Sequence, residues 1–141
     1  MASGLSPAEL RRLCRGGSFD GPTSGLATGY VQANMVILPE ADAEAFAEYC
    51  ASNPKPCPIL ERLAPGDPEP RKTAPGADVR TDLPRYRVFQ DGRPIAEPAD
   101  IQDLWRDDLV TFLLGCSFTA EEALAEAGLP LHHIEQTGFV P

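Results

Sequence analysis

At 141 residues the chain is long enough for one domain with its own core and too short to expect two. An apolar fraction of 43% with 23% charged residues is that of an ordinary soluble globular protein. A net charge of −9 with no basic stripe makes nucleic acid and anionic membranes poor partners, because phosphate binding rests on clustered Lys and Arg.

No apolar run approaches the roughly 20 residues of a spanning helix. Met1 to Pro7 has neither a basic n-region nor an apolar h-region, so it does not read as a secretory signal, and the expected compartment is the cytoplasm. Cys14, Cys50, Cys57 and Cys116 form no Cys-x-x-Cys pair, which fits neither a zinc ribbon nor a dense disulfide framework. His132 and His133 are adjacent, so regular structure points them apart and they make a poor metal pair.

Ser6, Pro7 and Glu9 spell a capping box with proline at the first helical position, and Gly16-Gly17 ends that helix. Nothing in it suggests chemistry. A loop of small residues from Gly21 to Gly29 leads into a strand over Tyr30–Leu38, where period two puts Gln32 and Asn34 on one face. The pair reads either as the wet face of an edge strand or as two amides meeting a polar ligand. A helix follows from Ala41 to Ser52, with Ala43, Phe46, Ala47 and Cys50 as its apolar stripe and Cys50 as a small buried hydrophobe. The prolines of Asn53–Pro58 force an extended path, and Ile59–Leu63 reads as a short strand.

From Ala64 to Ala77 the composition is that of a long loop, a length that is usually functional or disordered. It empties into Asp78-Val79-Arg80-Thr81-Asp82. Arg80 between two aspartates is either a self-satisfied ion-pair network or a fork held ready for a substrate carboxylate. Tyr86–Phe89, the Asp91-Gly92 turn and Pro94–Glu97 spell a hairpin. Ile101, Leu104 and Trp105 keep helical spacing, predicting a helix over Ala99–Arg106. Residues 108–114 read as helix or strand, since a short apolar run does not decide it. Thr119 and Glu122 form a second capping box for a helix to Ala127, closed by Gly128.

Four segments in order carry a resemblance: Gly29-Tyr30-Val31-Gln32-Ala33-Asn34, Cys57-Pro58, Asp78 to Tyr86, and Asp107 to Phe118 with its Gly115-Cys116-Ser117-Phe118 end. Together they resemble the hydro-lyase family whose characterised branch is D-glutamate cyclase, from about Thr23 onward. Residues 1–22 are then a lead-in helix, and 23–141 the N-terminal portion of the family's domain. The chain departs from the pattern at Ala120, where the family usually has Phe, and family members continue well past Val140-Pro141.

The resemblance implies an α/β fold of mixed α+β sub-domains, a mixed sheet flanked by helices. It also implies the reversible closure of D-glutamate to 5-oxo-D-proline with loss of water, or related chemistry on a small amino or hydroxy acid. The alternatives are a catalytically inactive remnant and an acidic binding module. Lactam closure requires deprotonating an ammonium, stabilising an oxyanion and protonating the departing hydroxyl. Glu121, Asp108 and Asp82 are the implied acid–base candidates. Glu121 and Asp108 lead, because the apolar run between them should raise a carboxyl pKa. Arg80, Asp78, Asn34 and Ser117 are the implied substrate-binding groups. No metal or organic cofactor is implied; the partner is a small molecule, and self-association is left open.

Overall fold

The computed structural model describes residues 4–131, so His132 and His133 lie outside the described residues. The first helix forms as spelled: α1, Pro7–Arg15, starts on a reciprocal capping box in which Ser6 Oγ accepts from Glu9 N–H and the Glu9 carboxylate accepts from Ser6 N–H.

The centre of the fold is a three-stranded sheet of β1 (Ala33–Pro39), β2 (Ile59–Arg62) and β5 (Leu109–Gly115), in the order β1-β5-β2. Helix α2, Glu40–Ser52, connects β1 to β2. Both outer strands run antiparallel to β5 and therefore parallel to each other, with α2 as their crossover. The expected mixture of helix and strand is present. Among the described residues every ladder is antiparallel, because β5 lies between β1 and β2, which run parallel to each other. Alternation along β5 then sorts its side chains. Val110 and Phe112 face α2, where they pack with Ala43, Phe46 and Ala47, and the Phe46 and Phe112 rings meet edge to face at 5.0 Å.

Residues 109–115, undecided in sequence, are a strand, consistent with a slot between two partners that favours β-branched and aromatic residues such as Val110, Thr111 and Phe112. The hairpin also forms, as β3 (Val88–Gln90) and β4 (Arg93–Ala96), with Asp91 at φ 49° and Gly92 at φ 71° giving the two positive dihedrals its tight turn needs.

Three expectations are corrected. Residues 99–106 are not a helix; only Gln102–Leu104 make a 3₁₀ turn. The Asp100 carboxylate takes the Gln102 N–H, Ile101 N–H goes to the Arg80 carbonyl, and Trp105 Nε1 donates to the Gly66 carbonyl, so tertiary bonds claim what the spacing promised to a helix. The strand predicted from Tyr30 begins at Ala33. The last helix, α3 (Glu121–Glu126), follows a 3₁₀ turn over Ser117–Ala120 and starts without a side-chain cap, because the Thr119 hydroxyl is used elsewhere. Among the described residues no helix is long and apolar enough to cross a membrane.

Candidate functional site

Three of the four resembling segments meet at one end of the sheet. Ala33 pairs with Gly115 at the end of the β1–β5 ladder. One residue further out, Thr119 Oγ1 accepts from Gln32 N–H at 3.0 Å and donates to the Gln32 carbonyl at 3.2 Å. The Gln32 carboxamide in turn donates from Nε2 to Thr23 Oγ1 at 3.0 Å. On the other side Gly115 N–H donates to the Pro58 carbonyl at 2.9 Å. A Cβ at Gly115 would lie 2.9 Å from Pro58 Cγ, so only glycine fits this approach. Segments 29–34, 57–58 and 115–118 are thus held together by main-chain and hydroxyl bonds.

A cavity of ≈380 Å³ opens at this end, lined among others by Gly25, Tyr30, Gln32, Phe118, Thr119 and Glu121. Of the sequence candidates, Glu121 is on its wall. Asn34, opposite Leu114 in the ladder, and Ser117, in the turn after β5, are exposed at the same end of the sheet.

The fourth segment forms a separate cluster. Asp82 is only 5% exposed. Its carboxylate takes the Arg15 fork from α1, Nε to Oδ1 at 2.6 Å and Nη2 to Oδ2 at 2.7 Å, and also accepts from Asp78 N–H and the Thr81 hydroxyl. Burial pushes that carboxyl up, but these four donors outweigh it and hold it below the ordinary carboxylate range. Asp78 grips Arg80 in the same bidentate way, Nε to Oδ1 at 2.9 Å and Nη2 to Oδ2 at 2.7 Å, which holds the Asp78 carboxyl down as well. The Arg80 fork, read in sequence as a carboxylate clamp or a network, already holds a carboxylate. Buried Tyr86, donating to the Val79 carbonyl at 2.8 Å, fastens the same segment. Asp78 and Asp82 sit on the wall of a larger cavity of ≈510 Å³ whose lining is mainly apolar, including Leu10, Met35, Leu60 and Leu113. Gln32 and Val31 line both cavities and stand between them.

Asp108 belongs to neither place. It precedes β5, whereas Glu121 follows it, and a seven-residue strand separates them by roughly 20 Å at about 3.3 Å per residue. The structure does not bring these two carboxylates together. The expected rise of the Asp108 pKa is also reversed. Its side chain is exposed and the Arg106 guanidinium, 2.8 Å away, holds the carboxyl below its usual range.

Sequence reasoning passed over Arg15 and Thr119. Arg15 lies 67 residues from its partner, so no local pattern marks the pair. Thr119 was visible only as a helix cap. Among the described residues no group of three His, Cys, Asp or Glu side chains is placed to hold a metal ion.

Comparison with known proteins finds relatives along almost the whole chain. A family model described as D-glutamate cyclase matches residues 110–141. A "Putative hydro-lyase" of Rubrobacter xylanophilus is 60% identical over 134 residues, which is 95% of this chain and 52% of that protein. Proteins of the same name from Stutzerimonas stutzeri and Bordetella pertussis are 53% and 56% identical over 97% and 94% of this chain, and 52% and 48% of their own length. The chain spans about half the length of the curated relatives it matches.

Proposed function

We propose that this chain, which belongs to the same family as those hydro-lyases, supplies part of a lyase site for a small amino or hydroxy acid. The reaction is water loss of the D-glutamate cyclase type: the substrate amine attacks its own side-chain carboxyl carbon, a C–N bond forms, and the hydroxyl leaves as water. The carrying observation is that residues 29–32 and 118–121, joined through Gln32 and Thr119, line the ≈380 Å³ cavity, at the sheet end where Gly115 also bonds Pro58.

Within this reading Glu121, on the cavity wall, carries in turn the two protons that the ammonium gives up to the departing carboxylate oxygen, so that the C–O bond breaks as the C–N bond forms and the oxygen leaves as water. Gln32, Asn34 and Ser117 provide amide and hydroxyl groups for orienting the substrate and its developing oxyanion. Asp78, Arg80 and Asp82 enter as the frame of the neighbouring wall, since their charges already satisfy one another or Arg15. Asp108 lies too far from Glu121 to share a small substrate with it. No cofactor is assigned a role, and the site works in the cytoplasm.

The test is chiral chromatography of D-glutamate and 5-oxo-D-proline with this chain and with the Rubrobacter relative. Formation of 5-oxo-D-proline, lost in Glu121→Gln, supports the reading. No interconversion by either protein overturns it.

A further inference from the structure

We propose that Thr119 is a positioning residue that locks the start of β1 to the turn after β5 and so fixes Gln32 on the wall of the smaller cavity, which Glu121 also lines. The inference rests on the functional reading above but adds a residue which that reading does not assign. Its basis is the double bond between one side chain and one peptide unit: the Thr119 hydroxyl accepts from Gln32 N–H at 3.0 Å and donates to the Gln32 carbonyl at 3.2 Å.

A hydroxyl has one proton and two lone pairs, so both bonds are made at once without competition. The arrangement imitates one more rung of the sheet beyond Ala33–Gly115, made by a side chain where the two chains have begun to diverge. It occurs where the order of β1 stops, since Gly29 to Gln32 are outside the strand and Tyr30 and Val31 are 60% and 65% exposed. Thr119 makes two bonds from this turn to the Gln32 main chain, and removing its hydroxyl removes both. The Gln32 carboxamide, tied to Thr23 at 3.0 Å, would then swing with its backbone relative to Glu121 two residues beyond Thr119.

Valine keeps the shape of threonine and removes the hydroxyl; serine keeps the hydroxyl. The experiment compares Thr119→Val and Thr119→Ser with the wild-type chain in three readouts: hydrogen exchange at the Gln32 amide, the melting temperature, and D-glutamate binding by titration. Thr119→Val is expected to speed Gln32 exchange and weaken D-glutamate binding, each about tenfold, at a melting temperature close to wild type, and Thr119→Ser to restore both. Unchanged Gln32 exchange in the valine variant overturns the inference, as does loss of protection across the whole sheet, which would mark a purely structural role. If the wild type does not bind D-glutamate, the functional reading fails on its own, and Gln32 exchange with its rescue by serine still decides whether Thr119 sets this geometry.

Discussion

Arg15, at the end of α1, and Asp82, 67 residues later, meet as a two-point fork at 2.6 and 2.7 Å, with the Asp82 side chain 2% exposed and that of Arg15 48% exposed. The asymmetry decides what each contributes. Removing Arg15 strands a buried carboxylate, whereas removing the carboxylate leaves an arginine that water can solvate. Arg15→Ala should therefore lower stability by about 2 kcal/mol, and Arg15→Ala/Asp82→Asn should cost less than the sum of the single changes. Urea unfolding of the four proteins gives the coupling directly. Additive losses would mean that the pair does not hold α1 to the 78–86 segment.

The same carboxylate sets an acid limit. Its folded pKa is depressed, so its stabilising contribution is fully present above the unfolded value, about 3.9, and is lost as pH falls through the lower folded value. Asp78, depressed by Arg80, acts in the same direction. Melting temperature should fall steeply below about pH 4 in the wild type. Asp82→Asn should melt lower at neutral pH and lose less on acidification. Parallel curves for the two proteins would remove Asp82 from the account.

Gly115 lies where β5 passes Pro58, and a methyl there would meet a rigid ring carbon at 2.9 Å. Gly115→Ala should destabilise by about 2 kcal/mol, the scale of a local overpacking. Pro58→Ala in the same chain should recover part of the loss by removing the ring. A melt that is unchanged by Gly115→Ala would show that the strand edge can shift freely.

Much of this architecture was legible from local chemistry. The capping box at Ser6, the Asp91-Gly92 turn and the apolar stripe of α2 each depend on neighbours within a few residues, so sequence displays them. Residues 99–106 misled because Ile101, Leu104 and Trp105 keep helical spacing among themselves, while Ile101 N–H and Trp105 Nε1 bond to Arg80 and Gly66 on other segments. The site was legible as motifs rather than as a constellation. Glu121 reaches the cavity wall, while Asp108, tempting for its place beside the apolar run, sits at the far end of the strand that the run forms. Long-range forks such as Arg15–Asp82 leave no trace in spacing or composition.

Cys57 and Cys116 border the converging segments and are free thiols, as are Cys14 and Cys50. Ring closure of glutamate needs no covalent enzyme intermediate, because the nucleophilic amine belongs to the substrate. Cys57→Ser and Cys116→Ser should each keep most of whatever turnover of D-glutamate the proposed site supports. Stoichiometric inactivation by iodoacetamide, slowed by D-glutamate, would instead make one of them a participant.

The two carboxylates that border β5 should behave oppositely. Glu121 lines the cavity where the segments converge, and losing a positioned proton-transfer group costs typically 10²- to 10⁴-fold in rate. Asp108 is exposed, paired with Arg106 and roughly 20 Å of strand away. Glu121→Gln should therefore lower kcat by at least about 100-fold with little change in melting temperature. Asp108→Asn should leave kcat within about twofold and cost under about 1 kcal/mol, the scale of an exposed ion pair. Both variants are best read in two settings, the 141-residue chain and its fusion to the part of the Rubrobacter relative outside the match. Because these residues span about half of that relative, the fusion is expected to turn over D-glutamate faster than the chain alone. A glutamine variant with near wild-type kcat in the fusion would remove Glu121 from the chemistry. A large loss in Asp108→Asn would mean that the reacting groups gather at the other end of β5.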